Sequence, residues 1–409
     1  MSTLAAPPVE GRTEKKRLVR RLRPDRSQKV RRGVQAVFVL LNGWLGLQFY
    51  LWVRWLEQGG QGVGVGRPAG VEGWLPIAGL MNTKYLLLTG RVPGIHPAAM
   101  FLFLAFVGIS LLVKKAFCSW LCPVGTLSEY LWKAGQRVFG TNVRLPKWVD
   151  IPLRGLKYLL LGFFGYVIGT MSADALSEFM MTPYGLVADV KMLNFFRDIG
   201  LTAAIVVGVL VLGSMLVRNL WCRYLCPYGA LMGLVSLLSP VKIRRDAEAC
   251  IDCAKCAKAC PSGLAVDKLM QIRSAECTAC MACISVCPAQ DALQLALPAR
   301  QATTAAARWR RRALGPVTVA CIVAYIFFAM VLGARATSHW QTQLPKTVAA
   351  LQEEMRALQA KLDDPQFYAR DRAGFEKVSV RVGELQRQIA AAEEQWLELE
   401  ILREELAGG

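Results

Sequence analysis

The chain, 409 residues long, predicts a mainly α integral membrane protein of about five transmembrane helices, with a small α+β domain after the fourth and an antiparallel coiled-coil hairpin at its C-terminus. Three observations carry this prediction. Apolar residues make up 54% of the sequence and are gathered in blocks long enough to cross a bilayer. Between Cys250 and Cys287 one cysteine spacing occurs twice. After the last apolar block, a charged stretch places apolar residues at alternating steps of three and four.

A span takes roughly 17–25 apolar residues. The blocks at residues 34–56, 97–113, 156–171, 199–217 and 314–334 are read as spans. The third is the shortest, and Lys157 near its end is expected to snorkel to the interface. The formal net charge of +19 is not spread evenly. Lys and Arg crowd residues 12–32 before the first block, Lys114 and Lys115 follow the second, and Arg308, Arg310, Arg311 and Arg312 precede the fifth. Positive charge flanking spans on one side marks the cytoplasmic face. The expectation is therefore a multi-pass protein of the bacterial inner (cytoplasmic) membrane. Its basic arm (1–33) and cysteine array are cytoplasmic and its C-terminus is outside. The arm is expected to meet anionic lipid headgroups rather than nucleic acid. The first block reads as a signal anchor, since no small-residue cleavage site follows it.

The array reads Cys-x-x-Cys-x-x-Cys-x-x-x-Cys-Pro at Cys250, Cys253, Cys256, Cys260 and again at Cys277, Cys280, Cys283, Cys287. Disulfides suit oxidising compartments, and zinc needs only four ligands, so neither explains two triplets each closed by Cys-Pro. The spacing is that of bacterial two-cluster ferredoxins, in which the fourth Cys of one run ligates the other cluster. It assigns one [4Fe–4S] cluster to Cys250, Cys253, Cys256 and Cys287 and another to Cys277, Cys280, Cys283 and Cys260. Residues 241–297 are thus a two-cluster ferredoxin domain whose chemistry is electron transfer.

Two further cysteine pairs follow the second and fourth blocks: Cys118-Ser-Trp-Leu-Cys122-Pro-Val-Gly and Cys222-Arg-Tyr-Leu-Cys226-Pro-Tyr-Gly. Their likeness makes residues 34–240 an internally duplicated membrane domain. Cysteines four apart share one side of a helical turn, and the proline is expected to end or kink the helix. If the halves pack about a pseudo-two-fold axis, Cys118, Cys122, Cys222 and Cys226 form one four-thiolate site suited to Fe, Zn or Cu(I). A redox dithiol in each half and plain buried cysteines are the alternatives. Cys321, inside the fifth block, has no partner in spacing.

Residues 59–70 are Gly-rich and read as a loop, residues 74–90 as interfacial or re-entrant, and residues 173–196 as their counterpart in the second half. In the tail (342–406) the seams Val348, Leu351, Met355, Leu358, Leu362 and Val378, Val382, Leu385, Ile389, Ala392, Trp396, Leu399 are separated by Asp363-Asp364-Pro365 and Gly374. An outer hairpin that recruits a partner or self-associates is expected. It resembles the C-terminal coiled coil of soluble ABC-type ATPases, without any ATPase motif. The two histidines, His96 and His339, provide no paired haem ligands, and no nucleotide-binding Gly fingerprint is present.

Residues 34–295 also resemble the membrane polyferredoxins of periplasmic nitrate and nitrous-oxide reduction and of methylamine use. The likeness lies in Val71-Glu72-Gly73-Trp74-Leu75-Pro76, His96-Pro97-Ala98, both Cys-Pro motifs and both ferredoxin repeats. The resemblance implies electron transfer from quinol toward a redox partner or maturation system, and His96 is a candidate proton acceptor from quinol. Two other functions fit the same features: a Cu(II)-reducing assembly factor for metal centres, and a non-catalytic scaffold or redox sensor.

Overall fold

The computed structural model describes residues 19–21, 25–58, 64–143, 145–297, 325, 328–329, 332, 354–361, 374–375 and 377–386. The chain divides into two compact units, one from residues 1–44, 102–171 and 197–329, the other from residues 45–101, 172–196 and 330–409. Two of the divisions fall inside α1 (Ser27–Glu57) and α3 (Pro97–Val113).

In the first unit, α4 (Ala116–Trp120) is followed by α5 (Pro123–Phe139), which starts on Pro123 because the first helical position needs no N–H. The amphipathic α5 packs against α10 (Leu201–Leu216), and α6 (Lys147–Thr170) packs against a single π-helical turn (Trp221–Leu225) and α11 (Pro227–Val235). The cysteine array lies between two short strands. β1 (Lys242–Arg245) pairs antiparallel with β2 (Leu293–Ala296), Lys242 opposite Ala296, and buries Ile243, Leu293 and Leu295. α12 (Lys255–Ala259) and α13 (Ala282–Ser285) are the matching short helices of the two repeats and pack on each other.

Residues 19–21 of the basic arm belong to this unit. The Arg21 N–H donates to the Pro288 carbonyl (3.0 Å) and the Gln290 N–H to that of Val19 (2.8 Å), so residues 19–21 lie as a strand against the end of the second repeat. The pairing satisfies backbone groups of both segments, and Arg21 Nη1 adds a bond to the Ile284 carbonyl (2.9 Å).

In the second unit a 3₁₀ turn (Ala69–Trp74) leads into α2 (Pro76–Thr89), opened by Pro76 and closed by Gly90 in the left-handed conformation (φ 69°). The apolar stretch expected to be interfacial or re-entrant is thus one 14-residue helix. It packs against α7 (Ala173–Met181), whose Ser172 hydroxyl accepts from the Ala175 N–H as N-cap. α8 (Pro183–Leu186) and α9 (Ala188–Arg197) follow. Phe49, Val53, Val71, Val187 and Val190 form this unit's core.

By length and composition, α1 and the stretch Trp148–Thr170 of α6 can cross a membrane, and α9 with α10 makes a third span if the pair counts as one. The 156–171 block is thus part of a longer helix than its hydropathy marks. The apolar α3 has 17 residues. The 314–334 block lies outside the described residues except for four positions, as does most of the 342–406 hairpin. In the described pieces, residues 354–361 and 377–386 are helical, the seam residues Val382 and Leu385 are buried, and Arg381 pairs with Glu354 at 2.9 Å.

Candidate functional site

The two ferredoxin repeats repeat their backbone as well as their cysteines. Asp252 and Ala254 in the first loop, and Ala279 and Met281 at the same places in the second, all have positive φ (53°, 55°, 49° and 57°). Such conformations cost non-glycine residues roughly 1–2 kcal/mol each. Alternating right- and left-handed residues turn successive N–H groups inward as an anion-binding nest, the device of many iron–sulfur sites. This strain, present twice at one offset, fits loops shaped around anionic clusters.

The structure brings Cys260, from the first repeat, into one cleft with Cys277, Cys280 and Cys283, closed by Ile243, Val266 and Ile272. Cys287, from the second repeat, lies within electrostatic reach of Cys250 and Cys253, and Cys256 within reach of Cys250. Cys256, Cys277 and Cys283 are buried, whereas Cys253 is exposed. Burial pushes the Cys277 thiol up to about 12. Among the described residues no three His, Cys, Asp or Glu side chains converge as ligands of a single ion. A cubane takes each thiolate on a different iron and sets its sulfurs farther apart.

The Cys-Pro cysteines come from two helix breaks. Cys118 sits on α4 and Cys122 caps α5; Cys222 sits on the π-helical turn and Cys226 caps α11, its Sγ accepting from the Gly229 N–H at 3.2 Å. The preceding helical turn stops at Trp120 or Leu225, as expected before a Cys-Pro, and each proline also begins the next helix, because its missing N–H is harmless at the first helical position. The four thiols lie within electrostatic reach of one another, without converging as ligands of a single ion. Burial pushes Cys118 up to about 12, although Lys115 opposes the rise, and Cys122 up to about 11.

The glycine of each Cys-Pro-x-Gly has a different reason. A Cβ on Gly125 would stand 2.1 Å from the Cys118 carbonyl oxygen, while one on Gly229 would meet Cys226 Sγ and Lys115 Nζ at an ordinary 3.5 Å. Gly125→Ala is therefore expected to displace the Cys118 turn and cost about 1–3 kcal/mol, whereas Gly229→Ala stays near wild type. Thermal unfolding of the two variants checks the asymmetry.

Charged residues that hydropathy marked as membrane flanks are inside this site. Lys115 is buried within reach of Cys118, Glu276, Cys222 and Cys226. Lys157 does not snorkel: it is fully buried, with its Nζ 2.6 Å from Glu276, because a carboxylate beside Cys277 offers it a partner inside the protein. Asp150 accepts from Tyr224 (2.7 Å) and Arg223 (3.0 Å), fixing the two residues that follow Cys222 on the π-helical turn. Sequence reasoning took Lys115 and Lys157 for topology markers and passed over Glu276 and Asp150. A lone charge in an apolar run was the available signal.

His96 lies in the second unit, away from any cysteine in its immediate contacts. Its Nε2–H donates to the Gly185 carbonyl (2.9 Å) and its Nδ1 faces Glu72 (3.4 Å), which also pairs with Arg67 (2.8 Å). Arg67 in turn holds Asp189 at 2.6 Å. Burial works against a charge on His96, but Glu72 outweighs it and raises its pKa. Both ring nitrogens are thus engaged.

Comparison with known proteins follows the same division. A 4Fe-4S binding domain model matches twice, at residues 95–142 and 199–246, each match containing one Cys-Pro motif. A 4Fe-4S dicluster domain model matches residues 243–295, and an ABC transporter C-terminal domain model matches residues 339–400. No solved structure matches. Strained cluster loops, paired Cys-Pro motifs and apolar spans define a membrane-bound iron–sulfur electron-transfer protein of the polyferredoxin type. The chain belongs to the family of YccM of Escherichia coli (strain K12), a protein named for electron transport, with 52% identity over 77% of this chain and 87% of that protein. Protein NirI of Paracoccus denitrificans is 28% identical over 44% of this chain and 26% of its own length. The methylamine utilization ferredoxin-type protein MauN of the same organism is 29% identical over 44% of this chain and 61% of its own length. Iron–sulfur clusters are the cofactors of the chain.

Proposed function

We propose that the chain passes electrons between the quinol pool of the bacterial inner membrane and a redox or maturation partner, through three thiolate-held centres. Two are [4Fe–4S] clusters, on Cys250, Cys253, Cys256 and Cys287 and on Cys260, Cys277, Cys280 and Cys283. The third is a metal centre on Cys118, Cys122, Cys222 and Cys226. Bound clusters supply one-electron redox chemistry. The protein residues position them, exclude water and set their charge. What supports this proposal is that four cysteines from two helix breaks lie within electrostatic reach of one another and that three of them share Lys115, which also reaches Glu276. Because a 4Fe-4S binding domain model covers each Cys-Pro copy, iron is favoured there over zinc or copper.

A five-span topology, with the basic arm and the ferredoxin domain cytoplasmic and the coiled-coil hairpin outside, completes the proposal. It puts the cysteine array beside a cytoplasmic partner and leaves the hairpin free for an outer partner or a second copy. Quinol oxidation releases two electrons and two protons; centres held by the three cysteine sets would supply one-electron acceptors for the electrons. With both nitrogens of His96 engaged, a proton passing to it from quinol would need Glu72 as the intermediate acceptor.

Metal and acid-labile sulfide analysis of anaerobically purified protein tests the centres. Cys118→Ser/Cys222→Ser is expected to lose one metal complement while the eight irons of two [4Fe–4S] clusters remain. An unchanged metal content would remove the third centre. Quinol analogues are expected to reduce the clusters reversibly, and clusters that never change state would leave only the scaffold function. Turnover of Cu(II) to Cu(I), lost in the same double variant, would instead favour the copper-reducing assembly factor.

A further inference from the structure

The two ferredoxin repeats have different neighbours. The residues that directly follow Cys118 bond to the loop of the second repeat: Ser119 Oγ donates to the Thr278 carbonyl at 2.7 Å and Trp120 Nε1 to the Ala279 carbonyl at 3.1 Å. Thr278 is bonded covalently to Cys277, and Ala279 to Cys280. Cys118 therefore reaches Cys277 through one residue, one hydrogen bond and one residue more. Ser119 and Trp120 are both buried, so water does not compete for these bonds. The same loop is held from two other elements, by Gln28 Nε2 on the Cys280 carbonyl (2.8 Å) and by Lys157 on Glu276 (2.6 Å). Gln35 Nε2 and Arg31 Nη1 both donate to the Ser119 carbonyl (2.9 and 3.3 Å), fixing the near end of the bridge as well. The first repeat turns the other way, since Asp252, Cys253, Lys255 and Lys258 are exposed.

We infer that the second-repeat centre, on Cys260, Cys277, Cys280 and Cys283, is the proximal one and exchanges electrons with the Cys-Pro site across the Ser119 and Trp120 hydrogen bonds. The first-repeat centre is the distal one, and a soluble redox protein exchanges electrons with it at the exposed edge formed by residues 252–258. This ordering rests on the proposal that the Cys-Pro thiols hold a redox centre. In each step one electron leaves one centre, which is oxidised, and enters the next, which is reduced; no bond is made or broken and no proton moves. Ser119 and Trp120 are positioning residues: they hold two ligand-bearing turns at one fixed separation, and electron tunnelling falls steeply as such a separation grows.

Low-temperature EPR of the anaerobically purified full chain tests the ordering. The signal that disappears in Cys118→Ser/Cys222→Ser is first assigned to the Cys-Pro site. Its spin relaxation is expected to be enhanced by a neighbouring centre, with the enhancement lost in Cys280→Ser and kept in Cys253→Ser. The opposite pattern overturns the ordering. Ser119→Ala/Trp120→Phe retains every cysteine and covers the case in which a Cys→Ser protein fails to assemble. After mixing with methyl viologen radical cation, freeze-quenched samples of this variant are expected to show the two ferredoxin signals reduced as in wild type and a delayed Cys-Pro signal. An undelayed signal overturns the bridge. If no signal depends on Cys118 and Cys222, the third centre itself fails and the ordering falls with it. A signal that is present but coupled to the first repeat overturns the ordering alone.

Discussion

Glu129→Ala is expected to destabilise the protein by about 3–5 kcal/mol, the cost of leaving one partner of a buried ion pair alone. Arg31 is buried and donates to both carboxylate oxygens of Glu129, at 2.6 and 2.7 Å. Burial acts to raise the Glu129 pKa, but the hydrogen bonds and charges of Arg31 and Lys133 bring it down to about 2. The stability it contributes is therefore fully present above the unfolded-state pKa, near 4.3, and is lost as pH falls toward about 2. Between pH 5 and 8 the wild-type contribution is flat. The loss in Glu129→Ala is largest there, because the guanidinium stays charged. Arg31 also reaches the Ser119 carbonyl, so the damage extends to the bridge residues. The measurement is the midpoint of thermal cluster loss, followed by absorbance, in Glu129→Ala and in Arg31→Met/Glu129→Leu. The double variant is expected to recover most of the loss, since no buried charge remains unpaired. A single variant within 1 kcal/mol of wild type would mean that water reaches Arg31 and satisfies it.

The sequence made some parts of this molecule legible because local rules decide them. Ligand spacing in the cysteine array is a property of two short loops, in which left-handed residues recur at 252, 254, 279 and 281. The bounds of α3 match its apolar block, since Pro97 starts the helix and Lys114, in the left-handed conformation (φ 60°), ends it. Other features depend on residues far apart in the chain. Nothing near Lys157 announces Glu276, and nothing near Arg31 announces Glu129, so a charge that hydropathy assigns to an interface becomes a buried partner. The pairing of residues 19–21 with Pro288 and Gln290 was unreadable for the same reason: it is a backbone property that no side chain signals.

Lys115→Met is expected to lower the midpoint potential of the Cys-Pro site by on the order of 100 mV. Its ammonium is buried among Cys118, Cys222 and Cys226, with Glu276 as its carboxylate neighbour. Burial works against its charge, but the cysteines and Glu276 outweigh it and raise its pKa, so the group carries its charge at neutral pH. Reduction adds a negative charge to the site, and a nearby positive charge favours the reduced form. At an effective dielectric of about 20 and separations of roughly 4–8 Å, one charge contributes about 2–4 kcal/mol. A one-electron couple shifts by 59 mV for each tenfold change in its equilibrium constant. Methionine keeps the length and apolar volume of the lysine stem, so packing is preserved while the charge is lost. Lys115→Arg, which keeps the charge, is expected to restore the potential if the longer head fits. EPR-monitored redox titration of the signal that depends on Cys118 reads the shift, with the ferredoxin signals as internal reference. The distal centre should hold its wild-type potential, because the charge beside it is Arg21, which is untouched. An unshifted Cys-Pro potential would mean that Lys115 is neutral when the centre is reduced, and Glu276 would then be left to Lys157 alone.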